Sequence, residues 1–303
     1  MRLQTAGVSF TIGTKQAFEE GAAVRVSRHV SFRVRLHPAM ALYALRSNIP
    51  FEQVDDTDFI VFDIFEDDPH WPSIQAFLEA DGDRAIATTI FTKQELRDAE
   101  WLRVRSKCHN GYPQPESAFG YREITYDPSL FCRECGAGLV QQDSFRLTKA
   151  PKWGTRHFFS LNWVFDELFV DDTARSILES SGLTGFHFLP VKNKRGTEEF
   201  PGVHQLFVET ETKPGVVTGG RDIDEVYTCA VCGRTKCHPT GIGMHVFRRE
   251  ALDGMPDICR TCEEWGWGKG ADRLILISQR MHRLIVDNHL ERSLVFEPIQ
   301  LID

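Results

Sequence analysis

The cysteines constrain this chain more than any other feature. Six of its eight cysteines form three Cys-x-x-Cys pairs, which we call the first knuckle, the second knuckle and the third pair: Cys132/Cys135, Cys229/Cys232 and Cys259/Cys262. A Cys-x-x-Cys turn directs two thiolates at one point, and two such turns supply the four sulfur ligands of a tetrahedral zinc ion. Pairs at this spacing, in a chain that we expect in the reducing cytosol, predict zinc and not disulfides.

Composition narrows the class of protein. A length of 303 residues predicts about two domains, or three small ones. With 42% apolar and 26% charged residues the chain is globular, and its net charge of −8 argues against a generally basic nucleic-acid binder. The longest apolar run, residues 39–45, is too short to span a bilayer, and residues 1–5 lead into no apolar signal segment. We therefore expect a cytoplasmic protein without a membrane partner.

The favoured zinc site combines the second knuckle with the third pair. Their 26 intervening residues suit a closed structural site with Cys229, Cys232, Cys259 and Cys262 as ligands. The first knuckle then needs other partners, and Cys108 with His109, which ends 23 residues upstream, could complete a second four-ligand site. The sequence thus predicts one or two structural zinc ions.

Other ligand arrangements remain open. His157, Cys237 and His238 are further candidate partners for the first knuckle. Alternatively, the two knuckles share one site and the third pair has another role. Gly136 and Gly233 directly follow the two knuckles, and glycine allows the positive φ that brings backbone N–H groups towards sulfur.

The C-terminal two thirds of the chain contain an apparent repeat. Residues 168–191 and 275–299 share a pattern of strand, helix and strand at an offset of 107 residues, which becomes 108 after one insertion. Asp171 and Ser278 occupy the same position before each helix, where a side-chain oxygen accepts a helix N–H. Because a knuckle precedes each copy, the pattern predicts two related zinc-knuckle units.

The N-terminal region combines a basic and an acidic segment. Residues 24–36 alternate apolar and polar side chains, which predicts a strand, and residues 58–65 predict another strand inside an acidic stretch. We favour pairing between these strands, with cross-strand contacts of about 0.2–1 kcal/mol each. The alternative is an acidic surface that binds a basic protein partner. Its candidate residues are Asp55, Asp56, Asp67 and Asp68.

Together these patterns predict an α+β fold. We expect an N-terminal α+β domain over residues 1–115, then two tandem zinc-knuckle α/β units over 116–215 and 216–303, related by the internal repeat. The chain has no phosphate-binding loop, no His-Glu-x-x-His and no Gly-x-Ser-x-Gly motif. We therefore expect no catalytic residues; a zinc-dependent nuclease is the minority interpretation.

Two motifs carry a resemblance to a known family. Phe-Cys-Arg-Glu-Cys-Gly at 131–136 precedes the Gly-x-x-Gly-Phe-x-Phe-x-Pro-Val segment at 182–191, and Tyr-Thr-Cys-x-x-Cys-Gly at 227–233 precedes Phe-Glu-Pro-Ile at 296–299. This order resembles the bacterial double-CXXCG-motif proteins over roughly residues 90–303. Some members of that group are immunity proteins, so the resemblance implies a non-enzymatic protein that neutralises a cognate toxin by direct binding.

The alternative is a zinc-ribbon protein that binds nucleic acid or has a regulatory role. Residues 228–262 carry five Lys or Arg and three Asp or Glu side chains. This small positive balance does not favour a nucleic-acid partner.

Overall fold

The computed structural model describes residues 25–54, 57–83 and 85–303. Its α-helices are α1 (Pro38–Arg46), α2 (Trp71–Asp81), α3 (Lys93–Asp98), α4 (Arg122–Thr125), α5 (Asp172–Ser180) and α6 (Gln279–Asp287). Its strands are β1 (Arg25–Arg33), β2 (Glu52–Gln53), β3 (Phe59–Phe65), β4 (Ile86–Ile90), β5 (Trp101–Ser106), β6 (Arg146–Leu147), β7 (Phe158–Leu161), β8 (Val164–Val170), β9 (Phe186–Asn193), β10 (Glu199–Val208), β11 (Ile223–Thr228), β12 (Thr235–Pro239), β13 (Val246–Arg248), β14 (Ile258–Arg260), β15 (Glu264–Trp265), β16 (Ile275–Ser278), β17 (Leu294–Pro298) and β18 (Gln300–Ile302). The fold mixes helices and strands, as an α+β protein does.

The N-terminal sheet has the order β2-β3-β1-β4, and β1 runs antiparallel to both β3 and β4. Val30 and Phe32 of β1 point into a core that α1 and α2 cover with Met40 and Ile74. The predicted pairing of the basic and acidic strands is therefore confirmed. His29 lies opposite Asp63, and its Nδ1 is 2.9 Å from that carboxylate.

The segment after this sheet differs from what its sequence predicts, since Thr92-Lys93-Gln94-Glu95 is a capping-box signature that indicates a helix continuing to Leu102. Thr92 and Glu95 form the expected capping box at the start of α3. However, α3 ends at Asp98 instead of reaching Leu102, which is buried in β5. Strand β5 pairs with β16 and β17, so a strand from the predicted N-terminal domain completes a sheet of the last predicted unit.

The two predicted repeat copies adopt similar topologies. In the first, α5 connects β8 to β9, and β10 lies between them, antiparallel to both. In the second, α6 connects β16 to β17, and β5 takes the middle place, again antiparallel to both. Both predicted N-caps are confirmed: Asp171 accepts from the N–H of Ala174 at 2.9 Å, and Ser278 accepts from that of Met281 at 3.2 Å.

The two copies share one hydrophobic core. Ala174 and Leu178 of α5 join Met281 and Ile285 of α6 in the same buried cluster. A common core of this kind makes the two copies one packing unit, because neither helix can bury its apolar face alone.

A buried ion pair also connects the sheets that contain the two copies. Arg260 of β14 lies 3.1 Å from the carboxylate of Glu167 in β8, and Gln205 donates to the same carboxylate at 2.8 Å. Burial raises the pKa of Glu167, whereas the Arg260 guanidinium opposes that shift.

Candidate metal centre

The two knuckles meet at one point. The sulfur atoms of Cys132, Cys135, Cys229 and Cys232 all lie within 4.8 Å of one another, and those of Cys135 and Cys232 are 3.7 Å apart. Within residues 25–54, 57–83 and 85–303, no other group of three or more Cys, His, Asp or Glu side chains gathers its ligand atoms at that spacing. Four convergent thiols form the donor set that zinc takes in closed structural sites.

Each knuckle is a tight turn that its own backbone closes. The N–H of Cys132 donates to the carbonyl of Ala137, and the N–H of Gly136 donates back to Cys132, both at 2.8 Å. The equivalent bonds of the second knuckle are 2.9 and 2.8 Å long. Gly136 and Gly233 adopt φ values of 78° and 74°, the left-handed region that glycine enters without strain. The expected positive φ of these glycines is confirmed.

Backbone N–H groups polarise the sulfur atoms. The N–H of Cys135 lowers the pKa of Cys132, and the N–H groups of Cys232 and Val231 lower the pKa of Cys229 to about 7. Burial instead raises the pKa of Cys135 to about 12. The knuckles therefore favour thiolates on their first cysteines, and a bound dication would favour them on all four.

A buried lysine holds the first knuckle in place. Lys236 is only 1% exposed, and its Nζ donates to the carbonyls of Cys135 at 3.0 Å, Gly268 at 2.6 Å and Gly270 at 2.8 Å. All three protons of the ammonium group thus have partners, which offsets the cost of burying it. The lysine ties the knuckle to the glycine-rich loop at 266–270.

An arginine next to the second knuckle also contacts the first. Arg234 Nη1 donates to the carbonyls of Leu130 at 2.8 Å and Ala137 at 2.9 Å. The glycine-rich loop at 266–270 packs against the other side of the first knuckle. A Cβ on Gly136 would lie only 2.1 Å from the carbonyl oxygen of Lys269 in this loop. These contacts position the knuckles against each other without help from the sulfur atoms.

The third pair does not join this centre, which corrects the favoured ligand grouping. Cys259 lies within β14 opposite Leu276 and is 0% exposed, whereas Cys262 follows the strand and donates its N–H to Thr212 Oγ1 at 3.3 Å. Burial raises the pKa of Cys259 to about 12 and that of Cys262 to about 11. The N–H of Thr261 donates to the carbonyl of Leu274 at 2.9 Å, so the chain continues its pairing with the neighbouring segment here and does not close into a turn like those of the knuckles.

The other predicted ligands also lie elsewhere. Cys108 packs against an aromatic core, and His109 contacts the ring of Phe165 edge-on at 5.3 Å. Cys237 is buried in β12, and burial raises its pKa to about 11. The arrangement found is therefore the alternative in which the two knuckles share one site. The sequence signal for this arrangement is the glycine that follows each knuckle. The third pair lacks that glycine, because Cys262 is followed by Glu263.

The predicted acidic surface is partly occupied within the chain. Arg25 donates to the carboxylate of Asp67 at 2.7 and 2.9 Å and lowers the pKa of that group. Asp68 accepts the N–H of His70 at 2.8 Å. Asp55 and Asp56 lie outside the described residues.

Comparison with known proteins leaves the family open. No family model matches the chain, and no curated protein matches it either. The likeness to double-CXXCG-motif proteins therefore remains a resemblance carried by the motifs. In the described part of the chain, no helix combines the length and apolar character needed to cross a membrane.

Proposed function

We propose that the two knuckles hold one structural zinc ion and that the protein acts by binding another protein, not by turnover. The observation that carries the proposal is the convergence of four sulfur atoms within 4.8 Å. Four thiolates fill a tetrahedral zinc site and leave no open position for an activated water. Such an ion would fasten together two turns that lie almost 100 residues apart in the sequence.

The rim of the centre offers apolar contact area. Val231, in the tip of the second knuckle, is 73% exposed, and Leu130, just before the first knuckle, is 44% exposed. Both line the hollow between the knuckles, together with Arg133 and Lys269. Exposed apolar side chains within a polar rim are typical of protein-binding surfaces.

The resemblance suggests the partner. We propose that the chain is an immunity protein and that its partner is a cognate toxin, bound at the surface around the knuckles. A metal-fastened surface suits this role, because preorganised contacts lose little conformational entropy on binding.

Metal analysis tests the centre. We expect one zinc per purified chain, and a strong chelator should remove it and lower the melting temperature. A chain that is metal-free as isolated and melts unchanged after incubation with zinc would contradict the structural role.

Co-expression tests the partner. Cells that express the neighbouring toxin-like gene should survive with this protein and die without it. Val231→Asp should reduce protection and keep the zinc, whereas Val286→Asp, at an exposed valine of α6, should keep both. Equal survival with and without the protein would contradict the immunity role, and full protection by Val231→Asp would contradict the assigned surface.

A further inference from the structure

A second candidate site lies away from the knuckles, between the N-terminal sheet and β5. It is a cavity of about 430 Å³, within the range of small-molecule sites. Strand β4 forms one wall with residues 87–89, the loop at 239–243 forms another, and β5 forms the floor. Thr89 fastens the two walls, since it donates to the carbonyl of Gly241 and accepts from the N–H of Gly243. We call it the inter-sheet cavity.

The floor of the inter-sheet cavity carries two arginines. Arg103 and Arg105 are two residues apart on β5 and therefore share a face of the sheet, opposite the face that Leu102 and Val104 bury. Glu297 of the neighbouring strand accepts one bond from each arginine, both of 3.0 Å. One carboxylate compensates two guanidinium groups, so a positive charge remains on the floor.

Most of the donors of Arg105 are still available. Within the described ranges, its one hydrogen bond runs from Nε to Glu297, which leaves the Nη1 and Nη2 donors available on a residue that lines the cavity. A guanidinium with free Nη donors matches the geometry of a carboxylate or phosphate group.

A buried histidine, His245, also lines the inter-sheet cavity next to Arg103. Asp222 holds Nδ1 of His245 at 3.0 Å, and both side chains are buried. Nε2 then points towards Nη1 of Arg103, at 3.4 Å. The Asp222 contact fixes the imidazole ring and thereby helps to position Arg103.

The far end of the inter-sheet cavity is aromatic. Phe165 is 50% exposed and lines the cavity, and the ring of His109 contacts it in a T-shaped arrangement. Asp272 lies nearby, and burial raises its pKa well above the usual range. The raised pKa favours the uncharged form of this carboxyl, which repels an anion less than a carboxylate does.

We propose that the inter-sheet cavity binds a small organic anion that combines an oxyanion group with a planar aromatic body. The oxyanion contacts Arg103 and Arg105, and the ring packs against Phe165. Carboxylates and phosphates share the chemistry that the arginines recognise. The proposal is independent of the zinc centre and of the immunity role.

Calorimetric titration with small probes tests this site on the full-length protein. Benzoate or phenyl phosphate should bind saturably with one site per chain, and the comparison of the two distinguishes carboxylate from phosphate recognition. Acetate and inorganic phosphate should bind more weakly because they lack the ring, and benzylamine, with the opposite charge, should not bind. If neither aromatic anion saturates, or if benzylamine binds equally well, the proposal is wrong.

Substitutions locate the binding. Arg105→Gln should weaken the better aromatic probe about tenfold, whereas Arg249→Gln, which breaks a similar arginine–glutamate pair with Glu100 elsewhere, should leave it unchanged. Glu297→Gln should tighten binding, since it removes the competing carboxylate. Circular dichroism verifies that each variant is folded. Unchanged affinity in folded Arg105→Gln, or weaker binding in folded Glu297→Gln, would overturn the assignment.

Discussion

The knuckles and the third pair share the spacing Cys-x-x-Cys but have different structures. Each knuckle is a closed turn that presents two sulfur atoms on one side. The third pair begins inside β14, where Cys259 is fixed in a ladder with β16 and buried in an apolar cluster. The spacing alone therefore does not define a metal ligand pair.

The difference originates in the residue that follows the second cysteine. Gly136 and Gly233 adopt positive φ, which lets their N–H groups turn back to the first cysteine of each knuckle. Glu263 takes the equivalent position after Cys262, and a residue with a Cβ disfavours that conformation. Instead, Glu263 accepts the N–H groups of Gly215 and Val216, at 2.7 and 3.0 Å.

The largest effect is expected from a pair of variants that substitutes one cysteine in each of the two regions. Cys229→Ser should abolish zinc binding and destabilise the knuckle region, because zinc contributes on the order of 10 kcal/mol in small structural sites. Cys259→Ala should keep the zinc and cost about 1–2 kcal/mol, as a substitution that leaves a small cavity does. Zinc content and urea unfolding measure both. Loss of zinc in Cys259→Ala with retention in Cys229→Ser would reverse the ligand assignment.

A smaller loss of stability is expected when the lysine that binds the backbone of the first knuckle is substituted. Lys236→Met removes the buried ammonium group and leaves the carbonyls of Cys135, Gly268 and Gly270 without their donor. We expect a loss of about 3 kcal/mol or more in the free energy of unfolding, because each unsatisfied buried carbonyl costs about 1–3 kcal/mol. The zinc should remain bound, since all four cysteines remain.

The matched control is Lys213→Met, at an exposed lysine. Its free energy of unfolding should change by less than about 0.5 kcal/mol. Equal stability of the two variants would show that the three carbonyls find other partners and that Lys236 does not hold the first knuckle.

Local features of the fold were predictable from the sequence. The N-caps at Asp171 and Ser278 and the capping box at Thr92 depend on residues within one helical turn, and all three are present. The end of α3 was not predictable in the same way. Leu102 and Val104 continue an apolar pattern that fits either a helix or a strand. The segment forms a strand because its backbone pairs with β16 and β17.

The candidate sites depended on distant contacts, which the sequence left open. The pairing of Cys135 with Cys232 brings together residues 97 positions apart, whereas spacing favoured the nearer third pair as the partner of the second knuckle. The arginines of the inter-sheet cavity stand next to Glu297 only because β5 inserts between two strands from the end of the chain. The glycine after each knuckle marks the turn locally, but no local signal shows which turns meet or that the two arginines line a cavity.

The smallest predicted effect compares the two knuckles with each other. Gly136→Ala and Gly233→Ala both place a Cβ on a residue with positive φ, at a cost of about 1–2 kcal/mol. Only at Gly136 would the new Cβ collide, at 2.1 Å from the Lys269 carbonyl, whereas nothing lies within 4 Å of it at Gly233. Overpacking of this kind adds about 1–3 kcal/mol, so Gly136→Ala should be less stable than Gly233→Ala by that amount in urea unfolding of the zinc-loaded proteins. If the two variants are equally stable, the glycine-rich loop at 266–270 moves aside at little cost, and the first knuckle is no more tightly enclosed than the second.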